Sequence, residues 1–193
     1  MEIKNGLHSY IKIMDNYINE DQLKILTKVC KNHEKFKDGI IVNDKQLSLD
    51  KDVRNVKIWE MENLKTDNYT QLYWTNFFAA YFKKAIKEYV ESLNLRVDIE
   101  LNDIQILKYT KGGHYKFHVD SATTIPRTIS CIFFINDDYE GGDLLFRFPN
   151  EKQVLKVEKI KNRMIIWPSN FLYPHSVSPI TKGERYSVVC WSR

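Results

Sequence analysis

The hydrophobic positions of this chain change their spacing near Leu95, and the change separates two textures. Before it, two stretches repeat at helical spacing. Asn19 precedes Glu20-Asp21-Gln22, after which Leu23, Ile25, Leu26, Val29 and Cys30 recur on one side. With Ile18 before the asparagine and Gln22 three residues after it, the pattern predicts a capped helix over about residues 20–34. From about Tyr69 to Leu93, the positions Leu72, Phe78, Phe82, Ile86, Tyr89, Val90 and Leu93 return at the same period, opposite Lys83, Lys84, Lys87, Glu88 and Glu91. Such a stripe packs a second helix against a sheet. His8 to Asp15 alternates and predicts an opening strand, whereas Phe36 to Glu60 is irregular and polar, the character of a substrate loop near a barrel mouth.

Beyond Leu95 the runs become short, alternating or wholly apolar, and are separated by turn residues. Strands are expected at 97–108, 115–119, 128–135, 144–148, 154–157, 163–167, 173–177 and 185–191. A mainly β chain with N-terminal helices in support, ending in a series of short strands, predicts a double-stranded β-helix, the jelly roll. The 193 residues, 43% of them hydrophobic, suffice for one well-buried core, so a single domain is expected. Within it, residues 1–95 would form a helical support region and 96–193 the jelly-roll core.

Composition narrows the function classes. The longest apolar runs, Cys131–Ile135 and Met164–Trp167, fall far below membrane-spanning length, and Met1-Glu-Ile-Lys-Asn-Gly contains no apolar signal core. No membrane partner and a cytoplasmic location are the expectation. Cys30, Cys131 and Cys190 form no C-x-x-C pair and sit in apolar segments, which argues against a disulfide framework. The formal charge of +4 is spread through alternating Lys and Glu without a basic stripe, and this disfavours nucleic acid as a partner.

The chemistry concentrates in His118-Val-Asp120, followed by His175 and Arg185. On a strand, residues two apart point the same way, so His118 and Asp120 would aim at one point while Val119 faces away. With His175 as a third ligand they form a 2-His-1-carboxylate triad, which holds Fe(II) on one face and leaves the other open. His114 competes as a ligand by its spacing from His118, but the Gly112-Gly113 turn before it favours a structural or substrate-facing place. Arg185 heads a strand on which Arg185, Ser187, Val189 and Trp191 share a face, and an arginine in such company needs an anion. Gly141-Gly142-Asp143 is explained by backbone geometry, since no helix follows to make a phosphate cradle.

The segments Ile106-Leu-Lys-Tyr109-Thr-Lys-Gly-Gly-His-Tyr115-Lys-Phe-His118-Val-Asp120 and Pro174-His175-Ser-Val-Ser-Pro179-Ile-Thr-Lys-Gly183-Glu-Arg185 together resemble the prolyl 4-hydroxylase-like branch of the Fe(II)/2-oxoglutarate dioxygenases, bacterial and phage members included. The resemblance covers residues 100–193, with a looser likeness before them. It implies Fe(II) on His118, Asp120 and His175, and 2-oxoglutarate as cosubstrate with its distal carboxylate on Arg185. Tyr109 would hydrogen-bond the cosubstrate, and ascorbate is a further cofactor of the group. Some relatives carry a tyrosine where this chain has Phe134, so Ser130 or Ser187 would have to assist Arg185.

The implied reaction couples oxidative decarboxylation of 2-oxoglutarate, giving succinate and CO2, to hydroxylation by molecular oxygen. Related halogenases lack the carboxylate, so Asp120 favours hydroxylation. A peptide or protein substrate carrying a peptidyl proline is implied, and Arg54 resembles a substrate-loop arginine of prolyl hydroxylases. Oxygenation of a free amino acid or other small molecule is the alternative. A non-catalytic metal- or ligand-binding jelly-roll module is the rival from another class, and Arg185 argues against it because mere metal binding has no use for such an anchor.

Overall fold

The computed structural model describes residues 6–34, 36–43, 46–61, 68–96 and 100–193. The expected opening strand is shortened: Leu7–Tyr10 is a 3-10 turn, in which Ser9 Oγ donates to the Gly6 carbonyl, and only Lys12–Met14 (β1) joins a sheet. Helix α1 spans Glu20–Asn32, and the side chain of its cap Asn19 accepts from the Asp21 N–H. The segment 36–60 differs from the irregular loop expected. It contains β2 (Lys37–Asp38), β3 (Ile41–Asn43), β4 (Gln46–Ser48), β5 (Arg54–Asn55) and β6 (Lys57–Glu60). These pieces are too short to show a period in the sequence, but they lengthen sheets begun elsewhere.

Helix α2 spans Tyr69–Ser92, capped by the Asn68 side chain, and Thr75 Oγ1 donates to the Met61 carbonyl at 2.7 Å, tying the first turns to the end of β6. Its buried stripe is Trp74, Phe78, Phe82, Ala85, Ile86, Tyr89 and Val90, whereas Leu72 is 44% exposed and belongs to the outer face. Full burial of a side chain such as Phe82 contributes about 1.5–3 kcal/mol.

The remaining strands are β7 (Leu101–Tyr109), β8 (His114–His118), β9 (Ile129–Phe134), β10 (Glu140–Gly141), β11 (Leu144–Phe146), β12 (Leu155–Val157), β13 (Arg163–Pro168), β14 (His175–Val177), β15 (Ile180–Lys182) and β16 (Arg185–Ser192). The expected start of β7 near Val97 lies outside the described residues, and β10 and β15 were not expected. All pairings among the described residues are antiparallel. A large sheet runs β1-β13-β9-β16-β7-β6-β2, a smaller one β12-β11-β14-β8-β5, and β10-β15 and β3-β4 are two-stranded. Together the two larger sheets make the jelly roll.

The central strands β9, β13 and β16 of the large sheet are buried on both faces, and the period of two sorts the sheet's side chains into two cores. Ile106, Phe133, Ile166 and Val188 pack with the helices, whereas Leu107, Phe134, Ile165 and Val189 point into the space between the sheets with Leu144, Phe146 and Val177. Cys30, Cys131 and Cys190 are buried and unbridged. Among the described residues no helix is long and apolar enough to cross a membrane.

Candidate active site

His118 ends β8, Asp120 follows just beyond it, and His175 begins β14 directly opposite His118 in the strand register. The ligand-capable atoms of these three residues lie within 4.8 Å of one another. His118 Nε2 stands 3.6 Å from Asp120 Oδ1 and His175 Nε2 3.4 Å from Oδ2. The other nitrogen of each ring faces a main-chain carbonyl two residues back: His118 Nδ1 that of Lys116 at 2.9 Å, His175 Nδ1 that of Tyr173 at 3.2 Å. A carbonyl only accepts, so the proton belongs on Nδ1 and each Nε2 is left with a free lone pair toward the carboxylate.

Packing fixes the ring planes. Tyr115 stacks on His118 with centroids 3.5 Å apart, and Trp167 meets His175 edge-on at 5.0 Å. Burial pushes the His175 pKa down to about 4 against the pull of Asp120, so the ring is neutral at physiological pH. Burial would raise Asp120, but the His175 and His118 imidazoles and the Ser130 hydroxyl outweigh it and hold the carboxyl below its usual range. Two imidazole nitrogens and a carboxylate thus converge, which is the donor set of a divalent cation and suits Fe(II).

Ser130 Oγ donates to Asp120 Oδ2 at 2.7 Å and shares a 2.7 Å hydrogen bond with Ser169 Oγ, which is also buried. Of the two serines considered for Arg185, Ser130 is therefore committed elsewhere. Arg127 lies 3.7 Å over the Trp191 ring and donates to the Asp120 carbonyl and to Asp103, holding the loop that carries Asp120. Neither Ser169 nor Arg127 stood out in the sequence, because each acts through a partner far along the chain.

Arg185 is fully buried, and its register partner across β7 is Tyr109. Its guanidinium carbon lies 5.0 Å from the Tyr109 ring centre and 5.2 Å from that of Phe134. None of its three guanidinium nitrogens completes a hydrogen bond among the described residues, and the hydroxyls of Ser187 and Tyr139 are likewise buried and unpaired. A buried cation without a partner is costly, and an anion at this end of the inter-sheet space would offset that cost. Tyr109 links it to the cavity that also holds His118, Asp120, His175, Trp167 and Trp191.

His114 is outside the cluster: its ring nitrogens face the carbonyls of Gly112 and Asp52, a structural place. Arg54 lines the cavity, with its guanidinium 4.8 Å from the Tyr115 ring centre and an Nη1 bond to the Ile40 carbonyl. The glycine turn has the geometric cause expected. Gly141 and Gly142 have φ of +72° and +62°, and a side chain on Gly141 would strike the Pro179 carbonyl.

A jelly roll with two histidines and a carboxylate at a cavity, and behind them a buried arginine without a hydrogen-bond partner among the described residues, has the side chains that a non-haem iron site with an acidic cosubstrate would need. Residues 104–193 match the model of the 2OG-Fe(II) oxygenase superfamily. The region is 33% identical over 95 residues to a PKHD-type hydroxylase of Pseudomonas fluorescens, covering 44% of this chain and 40% of that protein. A PKHD-type hydroxylase of Alteromonas mediterranea is 34% identical over 94 residues, with the same coverage. The chain thus spans about 40% of the length of the curated relatives it matches. Among solved structures, a Pseudomonas putida prolyl-4-hydroxylase superposes with a TM-score of 0.72 at 18% identity, covering 95% of this chain and 92% of that one. A Trichoplax adhaerens prolyl hydroxylase in complex with a hypoxia-inducible factor peptide fragment gives 0.68 at 20% identity, covering 94% and 82%. At such identities these neighbours establish the fold.

Proposed function

We propose that the protein is an Fe(II)- and 2-oxoglutarate-dependent hydroxylase of peptidyl proline. The observation that carries the reading is the coincidence, in one inter-sheet space, of the His118, Asp120 and His175 cluster with the unpaired guanidinium of Arg185. A module that only bound metal would have no use for a buried cation behind the metal site. The relatives' descriptions as PKHD-type and prolyl hydroxylases support proline as the target.

His118 Nε2, Asp120 and His175 Nε2 would hold the iron. With 2-oxoglutarate and oxygen, the iron supplies the oxidising power that puts an oxygen atom into a substrate C–H bond. Ser130, backed by Ser169, fixes the Asp120 carboxylate in one orientation by donating to Oδ2. Arg185 would pair with the distal carboxylate of 2-oxoglutarate, with hydroxyl help from Tyr109 and from Ser187, whose hydroxyl has no partner among the described residues whereas that of Ser130 has. Leu144, Trp167 and Val189 line the cavity with apolar surface and keep bulk water from the reacting atoms. Arg54 and Tyr115 line it as well and would orient a peptide backbone. Ascorbate serves as an accessory reductant.

The test is incubation of peptide libraries with the protein, Fe(II), 2-oxoglutarate and ascorbate, read by mass spectrometry for one added oxygen on proline and by succinate release. His118→Ala, Asp120→Ala and His175→Ala should each reduce succinate to background while retaining the circular dichroism of the parent. Near-normal turnover in any of them removes that residue from the iron site. Oxygen gained by a free amino acid instead of a peptide would move the substrate class, and no succinate under any condition would reduce the protein to a binding module.

A further inference from the structure

Phe134 leaves Arg185 without the tyrosine hydroxyl that some relatives place there, and the Tyr139 ring, from another segment, comes close to the same arginine beside Gly142. Tyr139 lies in the connection between β9 and β10, is 5% exposed, and has a buried hydroxyl with no hydrogen-bond partner among the described residues. Its outer side is anchored. Lys159 Nζ donates to the Tyr139 carbonyl at 2.9 Å and stands 5.0 Å from the ring centre, so the hydroxyl end is the part left for another role.

Gly142 makes the approach to Arg185 possible. A Cβ at this left-handed position would strike Ile180 Cδ1 and come 3.1 Å from Tyr139 Cε2 and 3.2 Å from Arg185 Cδ, so it is the glycine that lets the ring and the arginine stem close on one point beside Ile180. Burial raises the pKa of the Tyr139 phenol while the Arg185 guanidinium opposes the rise, the same two influences that act on Tyr109. Both phenols are therefore near enough to feel the guanidinium, yet neither completes a hydrogen bond with it. A protonated phenol beside a cation that awaits an anion is a ready donor to that anion.

We propose that Tyr139 is a cosubstrate-binding residue, whose hydroxyl donates to the carboxylate held by Arg185 and takes the place of the hydroxyl absent at Phe134. The inference rests on the reading of the site as 2-oxoglutarate-dependent. It adds a donor from a third segment, beyond the strands that carry Tyr109 and Ser187, and so gives the distal carboxylate a partner on another side.

The experiment is anaerobic calorimetry of the Fe(II)-loaded protein with two ligands: 2-oxoglutarate, and 2-oxobutyrate, which shares the metal-binding end but has no distal carboxylate. Tyr139→Phe should weaken 2-oxoglutarate about tenfold, the scale of one hydrogen bond to a charged group, and leave 2-oxobutyrate unchanged. Phe134→Tyr in the Tyr139→Phe background should recover most of the loss. Unchanged 2-oxobutyrate binding also shows that the variant is folded with its metal site intact. Equal loss of both ligands would overturn the proposal in favour of a structural role for the ring. An unchanged 2-oxoglutarate affinity in Tyr139→Phe, beside a large loss in Arg185→Gln, would overturn Tyr139 and leave the arginine anchor standing. No loss in either variant would overturn the cosubstrate reading itself.

Discussion

The two cores that share the large sheet treat their polar atoms in opposite ways. On the helix side, among the described residues, Tyr89 donates to the Tyr10 carbonyl, Tyr17 to that of Tyr81, and Asn162 to that of Ile18. Between the sheets, the Arg185 guanidinium, the Ser187 and Tyr139 hydroxyls and the Trp167 indole nitrogen all lack partners among the described residues. The same strands supply both sides, since neighbours such as Val188 and Val189 alternate between them. The difference separates what holds the fold from what the fold holds. Unmet hydrogen bonds are tolerated where a ligand can complete them, and the helix-backed core supplies the stability that makes this tolerable.

The largest effect that sharpens this contrast is on the helix side. Phe82→Ala removes a fully buried ring and should cost about 3–5 kcal/mol in urea unfolding, with 2-oxoglutarate affinity unchanged in the folded fraction. A shift in that affinity would mean that the two cores are not separable. The opposite sign is expected between the sheets. Arg185→Met replaces an unpaired buried charge by an apolar chain and should stabilise the ligand-free protein by about 1–3 kcal/mol while abolishing measurable 2-oxoglutarate binding. A destabilised Arg185→Met would show that the arginine is part of the scaffold, and the contrast would break.

The smallest effect concerns the ion pair that fastens the residue after β1 to β13. Asp15 is held below its usual pKa by hydrogen bonds from Arg163, whose Nε lies 2.6 Å from Asp15 Oδ1. A depressed folded-state pKa means that the unfolded chain takes up the proton first as pH falls. The pair's contribution is therefore present above the ordinary aspartate pKa of 3.8 and is lost as pH drops through the lower folded value. Because Asp15 is 44% exposed, solvent screening limits the contribution to about 1 kcal/mol or less. Asp15→Asn should lower stability by that amount at neutral pH and flatten the acid limb of the melting curve. An acid limb identical to the parent's would assign the acid sensitivity to other carboxylates.

Legibility in the sequence followed the range over which a signal acts. The inward phase of Arg185 and the shared face of His118 and Asp120 needed only the strand period, and α2 needed only the helix period. At the start of α2 the period could not choose between Leu72 and Trp74, two apolar residues on different faces, and the structure buries the tryptophan. Segment 36–60 misled because strands of two to four residues are made by their partners and carry no pattern of their own. Ser169 and Tyr139 were invisible for a related reason: each matters through a residue tens of positions away, and neither sits in a motif.

The register of β14 on β8 has one consequence for how the site can vary. His118 and His175 are direct cross-strand partners, so the separation of their Cα atoms is that of a strand pair, about 4.5–5.5 Å, and each ring is pinned by the main-chain carbonyl two residues before it. The bite of the proposed metal site is thus a main-chain dimension. Substitution of the residues around that site can retune its polarity and its access, but the span between the two nitrogens will follow the backbone for as long as the strands remain paired.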